Sequence, residues 1–218
     1  AVMVEHFKEI TQNKIKGKAK AMVVTASRLH AVRYLQEFRN YIEKMGYTDM
    51  DVLVAFSGSL NIDEEEVTET KLNKTKDGRH ISEDQLPEEF HGDNFNVLIV
   101  AEKYQTGFDE PLLHTMFVDK KLKNVKAVQT LSRLNRTCSG KKDTFILDFV
   151  NTAEEIQAAF APYYEETSLD REINVNMIYD QKNKLRKYNV YNHQDVESIM
   201  KIYYKNGEQD EKALGQLT

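Results

Sequence analysis

Apolar positions follow two rhythms along this chain. Between residues 20 and 150, short apolar runs alternate with longer stretches of helical period. The runs are Ala21–Thr25, Asp51–Phe56, Asn96–Ala101, Leu113–Val118 and Thr144–Phe149. Several are near-continuous rather than strictly alternating, which suits strands covered on both faces. After the first run, Leu29, Val32, Leu35, Phe38 and Ile42 recur at helical spacing. Ser27 reads as an N-cap and Gly46 as the residue that ends this helix, which is predicted from Arg28 to about Met45. Strands alternating with helices predict an α/β fold with a parallel sheet flanked by helices.

Elsewhere the pattern changes. Val4, Phe7 and Ile10 predict a short N-terminal helix, and Lys14 to Lys20 a basic linker. Residues 57–79 carry few apolar side chains and are expected to form an exposed, partly mobile excursion. Ser82 to Phe90 reads as one short helix. Beyond Asn151 the strand signals stop. Thr152-x-x-Glu155 reads as a capping box opening a helix to about Phe160. Ile173 to Tyr188, and a stretch with Val196, Ile199, Met200 and Tyr203 on one face, read as further helices. The expected organisation is an N-terminal helix and linker (1–19), an α/β domain (20–150) and a helical extension (151–218).

Size and charge narrow the possibilities. The 218 residues suffice for one good core with an appended subdomain. A net charge of −5 makes any nucleic-acid contact a local one. The single cysteine, Cys138, excludes an internal disulfide and fits a reducing, cytoplasmic setting. No apolar run approaches the ~20 residues of a membrane span, and the N-terminal residues, with Glu5, His6 and Lys8, lack the apolar segment of a signal peptide. The chain opens in what reads as mid-helix and closes without an evident structural end, so a piece of a larger protein is expected.

Candidate chemistry centres on Ala127 to Arg136, A-V-Q-T-L-S-R-L-N-R. On an ideal helix, Gln129, Arg133 and Arg136 fall within a stripe roughly 60° wide. Ala127, Val128, Leu131 and Leu134 cover the opposite side. One reading is an amphipathic surface helix with solvated arginines; the other is a phosphate-binding face, because the guanidinium fork matches phosphate oxygens. Three loops follow predicted strands, where ligands of parallel α/β sheets bind. Thr25-Ala26-Ser27-Arg28 places two hydroxyls and a guanidinium at a helix start, as an anion contact or as a plain N-cap. Ser57 and Gly58 follow the second run, with backbone amides able to reach a phosphate. After the third comes Gln105-Thr106-Gly107-Phe108-Asp109-Glu110-Pro111. Here Gly107 permits close backbone approach, Thr106 can donate to a phosphate, and Asp109 can accept from a ribose hydroxyl or a guanidinium.

In order and spacing, T-A-S-R, Q-T-G-F-D-E-P and Q-T-L-S-R-L-N-R resemble motifs IV, V and VI of superfamily 2 helicases and translocases. The variant is similar to the motor (R) subunit of type I restriction enzymes. Ser132 and Asn135 of the last motif, and the L-L-H-T-M-F-V-D-K-K-L that follows T-G-F-D-E-P, carry that distinction. The match covers about Lys20 to Tyr164.

The resemblance implies the second RecA-like lobe of an ATP-dependent double-stranded DNA translocase, with ATP and Mg2+ held between two lobes. Arg136 would be the arginine finger, Arg133 a second phosphate-facing guanidinium, and Gln129, Gly107 and Asp109 the other nucleotide-site residues. Thr25, Ser27, Arg28, Ser57, Gly58 and Thr106 would face the DNA backbone, contacts that set position rather than sequence. Expected partners are double-stranded DNA, the first lobe and nuclease domain of the same parent chain, and modification (methyltransferase) and specificity subunits; no membrane is expected.

No G-x-x-x-x-G-K-[ST] occurs in the sequence. The chain by itself is therefore expected to hydrolyse no ATP. Asp63-Glu64-Glu65-Glu66 reads as a solvated acidic loop rather than an Mg2+ motif. Glu69-Thr70-Lys71 matches half of a restriction-nuclease site but lacks the strand and the P-D partner. No metal ligands are expected in this chain. Cys138 reads as structural and His114 as a packed strand residue. Lys120, Lys121, Lys123, Lys126, Lys141 and Lys142 flank the key helix, either as a solvated face or as phosphate contacts. The competing readings are a lobe of another superfamily 2 motor and a non-catalytic α/β interaction module.

Overall fold

The computed structural model describes residues 1–104 and 107–164, together with positions 197, 200 and 201. Five parallel strands form one sheet in the order β2-β5-β1-β6-β7: β1 Lys20–Thr25, β2 Val52–Phe56, β5 Val97–Ala101, β6 Leu113–Asp119 and β7 Phe145–Asp148. A separate antiparallel pair joins β3 Ser59–Ile62 to β4 Glu65–Thr68. The expected α/β class, a parallel sheet flanked by helices, is what forms.

Alternation within each strand explains the near-continuous apolar runs. Met22 and Val24 of β1 enter one core with Leu53, Ala55, Leu98, Val100, Met116 and Val118. Ala21 and Val23 enter the opposite core with Val52, Val54, Val97, Ile99 and Phe117. Helices α1 Val2–Glu9 and α2 Arg28–Met45 cover the second core. The first is covered by α4 Leu86–His91, α5 Val125–Leu131 and α6 Ala153–Tyr164. Every residue of β1, β2 and β5 is buried, whereas the edge strand β7 is only partly covered.

The helix ends are built as their sequences indicate. Ser27 caps α2 by accepting from the His30 amide, and Gly46 closes it. Thr152 and Glu155 form the expected reciprocal capping box: the Thr152 amide donates to Glu155, and the Glu155 amide to Thr152 Oγ1. The helix expected over Ser82–Phe90 is shorter, Leu86–His91. Position N1 or N2 of α4 holds a proline, which favours a start there.

The excursion at residues 57–79 differs most from expectation. It contains β3, β4 and a helical turn, α3 Glu69–Leu72. Glu69 and Asn73 are buried against the outer edge of the sheet. The Asn73 amide exchanges two hydrogen bonds with the Val54 backbone, and Glu69 Oε2 accepts from the Phe56 amide at 2.8 Å. These side chains take the place of a neighbouring strand along β2, satisfying donors and an acceptor that burial would otherwise orphan. Hydropathy marks Glu69 and Asn73 as solvated; their hydrogen bonding shows why they are not.

Glu197, Met200 and Lys201 are helical and exposed. The helix expected over Ile173–Tyr188, and Val196, Ile199 and Tyr203 of the next one, lie outside the described residues. No described helix is long and apolar enough to cross a membrane.

Candidate functional site

Parallel strands bring the loops after β1, β2 and β5 to the same end of the sheet, with β5 between the other two. Helix α5 departs from that end as well, after β6. Its apolar side is buried as expected through Ala127, Leu131 and Leu134, with Val128 half-buried.

The helix itself departs from expectation. The α-helix stops at Leu131, a 3-10 turn runs over Ser132–Asn135, and Arg136 is extended. Tighter winding alters the ideal stripe, yet the three polar side chains still converge. Gln129, Ser132, Arg133, Asn135 and Arg136 line a cleft of about 390 Å³ together with Gly107, Phe108 and Asp109. Thus all five residues assigned from sequence to catalysis or nucleotide binding meet in one place.

The two arginines are held differently. Arg133 is half-buried; its Nη1 donates to the Phe108 carbonyl at 2.6 Å, and its Nε is buried with no hydrogen-bond partner. Burial, and then the neighbouring charge of Arg136, lowers its pKa from the usual guanidinium value. Arg136 is exposed, and its Nε lies 3.0 Å from Asp109 Oδ1 in an ion pair open to water. Gly107, with φ +75°, has no atom of the described residues, its chain neighbours aside, within 4 Å of where a Cβ would sit. Unpaired donor capacity, two adjacent positive charges and an open backbone approach fit a polyphosphate. Among the described residues, no group of three His, Cys, Asp or Glu side chains could hold a metal ion.

A second cluster joins the loops after β1 and β2, the two strands that flank β5. Arg28 Nη1 donates to the carbonyls of Ser57 (3.3 Å) and Ser59 (2.8 Å), closing the turn after β2. Gly58 is required there: its φ is +74°, and a Cβ would stand 3.3 Å from Arg28 Nη1. Arg28, Ser57 and Gly58 are exposed, whereas Ser27 is half-buried with its hydroxyl committed to the cap. Thr25 corrects the sequence reading. It is fully buried, and its hydroxyl donates to Val100 O and Ser27 O, so it shapes the strand end and offers nothing to an outside ligand. Thr106 lies outside the described residues.

Several basic candidates are tied within the fold. Lys141 Nζ donates to the carbonyls of Pro111, Leu113 and Arg136. Lys120 pairs with Glu102 and Lys121 with Glu155. Lys123, Lys126 and Lys142 are exposed. His114 is buried as expected, hydrogen-bonded to Thr115 and Asp143. The Cys138 thiol lies 3.4 Å from the Pro111 carbonyl.

Sequence reading discounted Glu69 and missed Lys103. Lys103 follows β5, and its Nζ lies 2.9 Å from both oxygens of the buried Glu69 carboxylate and 2.8 Å from Glu83. Burial pulls its pKa down, but the bonds to Glu83 and Glu69 outweigh this and raise it. A lysine amid scattered polar residues gives no periodic signal by which to find it.

The fold and site define an α/β lobe with an open, arginine-lined cleft at the carboxyl ends of its strands. Comparison with known proteins shows what the chain resembles. Residues 80–151 match the T1R_D3-like family, type I restriction enzyme subunit R domain 3. The chain is 28% identical over 190 residues to the putative type I restriction enzyme MjaIXP endonuclease subunit of Methanocaldococcus jannaschii, covering 87% of this chain and 17% of that protein. To the putative MjaVIIP endonuclease subunit of the same organism it is 32% identical over 168 residues, covering 74% and 15%. A solved Pyrococcus furiosus Hef helicase domain aligns with a TM-score of 0.39 and 17% identity, over 76% of this chain and 27% of that one. The chain is thus related to type I restriction enzyme R subunits, as its motifs suggested. It spans less than a fifth of the length of these two curated relatives.

Proposed function

We propose that this chain is the second motor lobe of an ATP-dependent double-stranded DNA translocase within a type I restriction endonuclease R subunit. Residues 20–150 are the RecA-like lobe, and 151–218 begin the helical region beyond it. The observation that carries this reading is the meeting of Gln129, Arg133 and Arg136 with Gly107 and Asp109 in one open cleft. The relatives' length supports a longer parent chain whose first lobe supplies the P-loop and Mg2+ ligands. ATP with Mg2+, bound between the lobes, supplies the phosphoryl group whose transfer to water drives the motor.

In this arrangement Arg136 leaves Asp109 to stabilise charge on the transferring phosphoryl group. Arg133, anchored by the Phe108 carbonyl, presents a less mobile positive charge beside it, and Gln129 orients the pair. Arg28, Ser57 and Gly58 touch the DNA backbone from the neighbouring strand ends, with Ser27 beside them, and Thr106 takes the same role on the strength of its motif alone. Such contacts are independent of sequence and suit translocation. Modification and specificity subunits complete the assembly.

The test is DNA-stimulated ATPase in the full R subunit, wild type against Arg136→Ala, with duplex binding measured in parallel. An arginine finger is worth about 10³–10⁵ in turnover. A collapse of that size with binding retained is expected. Unchanged turnover would withdraw the motor assignment of the cleft and favour a non-catalytic interaction module.

A further inference from the structure

The motor reading gives the cleft and the Ser57–Ser59 turn separate tasks, and Lys103 stands between them. Its Nζ bonds two carboxylates: Glu69, only 1% exposed, and Glu83. Glu69 in turn accepts from the amide of Phe56, the residue immediately before the turn closed by Arg28. On the other side, Lys103 precedes Gly107, Phe108 and Asp109, which line the cleft. The ring of Tyr104, next in the chain, packs 4.7 Å from that of Phe108, and the Phe108 carbonyl holds Arg133. A continuous set of contacts therefore runs from the strand-end turn to the arginines.

Two features separate this contact from ordinary packing. Both neighbours of Lys103 are non-glycine residues with left-handed backbone, Glu102 at φ +60° and Tyr104 at φ +61°. Such conformations persist only where surrounding structure fixes them, and they gather at functional loops. The Lys103–Glu69 pair is also a costly way to fill a core, since well-packed apolar residues often do as well or better. A buried, fully satisfied ion pair instead specifies one position for the backbone on either side.

We propose that Lys103, held by Glu69 and Glu83, is a positioning residue through which the Ser57–Ser59 turn sets Tyr104 and Phe108, and with Phe108 the carbonyl that holds Arg133 in the cleft. It couples contact at one strand end to turnover at the other. This rests on the motor reading above.

The experiment compares duplex-stimulated and unstimulated ATPase in the full R subunit for wild type, Arg136→Ala, Lys103→Met, Lys103→Arg and Glu83→Gln. ATP KM, duplex affinity and thermal stability are recorded alongside. Lys103→Met should lower the stimulated kcat about tenfold, within the range of typical coupling energies. ATP KM and duplex affinity should stay within about twofold, a split that general loss of structure would not produce. Lys103→Arg should restore most of the stimulation. Glu83→Gln removes only the exposed arm, so a folding defect is not expected, and it should lower stimulation about threefold. Full stimulation in both Lys103→Met and Glu83→Gln would overturn the inference, as would failure of arginine to rescue. If wild type shows no stimulation, or Arg136→Ala retains it, the motor reading itself has failed, and the inference falls with it.

Discussion

Two ion pairs bracket the loop between β5 and β6, and they are opposites. At its start, Lys103 and Glu69 are 13% and 1% exposed; at its end, Arg136 and Asp109 are 60% and 69% exposed. An exposed pair contributes about 0–1 kcal/mol, so its members can exchange partners at little cost. A buried pair cannot, because removing one partner strands the other charge away from water. The same loop is thus anchored at one end and left with an exchangeable cation at the other. Such a division suits a site in which Arg136 must turn to a phosphate while the backbone beneath it stays in place.

The largest effect that would sharpen this contrast comes from Glu69→Ala. It leaves the Lys103 charge buried against Glu83 alone and the Phe56 amide without its acceptor. Breaking a buried pair costs about 3–5 kcal/mol. Chemical denaturation should report a loss of that order. A loss below about 1 kcal/mol would place this pair in the exposed class and erase the comparison.

Lys20 probes what burial costs a cation whose hydrogen bonds go only to carbonyls. It is 3% exposed at the start of β1, and its Nζ donates to Gly92 O and Phe95 O. Burial, partly offset by Glu110, lowers its pKa from 10.5 to about 8. At pH 7 both folded and unfolded chains carry this proton, and the folded one bears the desolvation cost. Between pH 8 and 10.5 the folded state releases the proton while the unfolded state keeps it, so this contribution to stability rises with pH. Against a Lys20→Met reference, wild type should gain about 3 kcal/mol across that window, measured as unfolding free energy at a series of pH values. A flat difference would mean that the two carbonyls compensate burial fully.

These buried polar groups also mark where the sequence was hardest to read. Strands β1, β2 and β5 were legible because both cores draw on the same short apolar runs, and α2 because Ser27 and Gly46 delimit a clean helical period. Gln129, Arg133, Arg136, Gly107 and Asp109 were legible as a set through their motifs, and they share the cleft even though the α-helix ends at Leu131. The excursion at 57–79 was not legible. Glu69 and Asn73 look solvated by residue type, and only their bonds to the β2 backbone make burial tolerable. Thr25 misled for the related reason that a hydroxyl at a strand end can serve a ligand or the chain's own carbonyls, and the residue type is the same in both cases.

The smallest effect is the one on which the comparison turns. Asp109→Ala removes the resting partner of Arg136 from a pair open to water. The unfolding free energy should change by less than about 1 kcal/mol, and the change should shrink further as salt screens the exposed charges. Arg133 keeps its anchor on the Phe108 carbonyl, which does not depend on the Asp109 side chain. A loss well above 1 kcal/mol in denaturation would show that Asp109 braces the loop as Glu69 does. Arg136 would then be a fixed structural cation, and a finger that has to leave its partner for a phosphate could not be built from it.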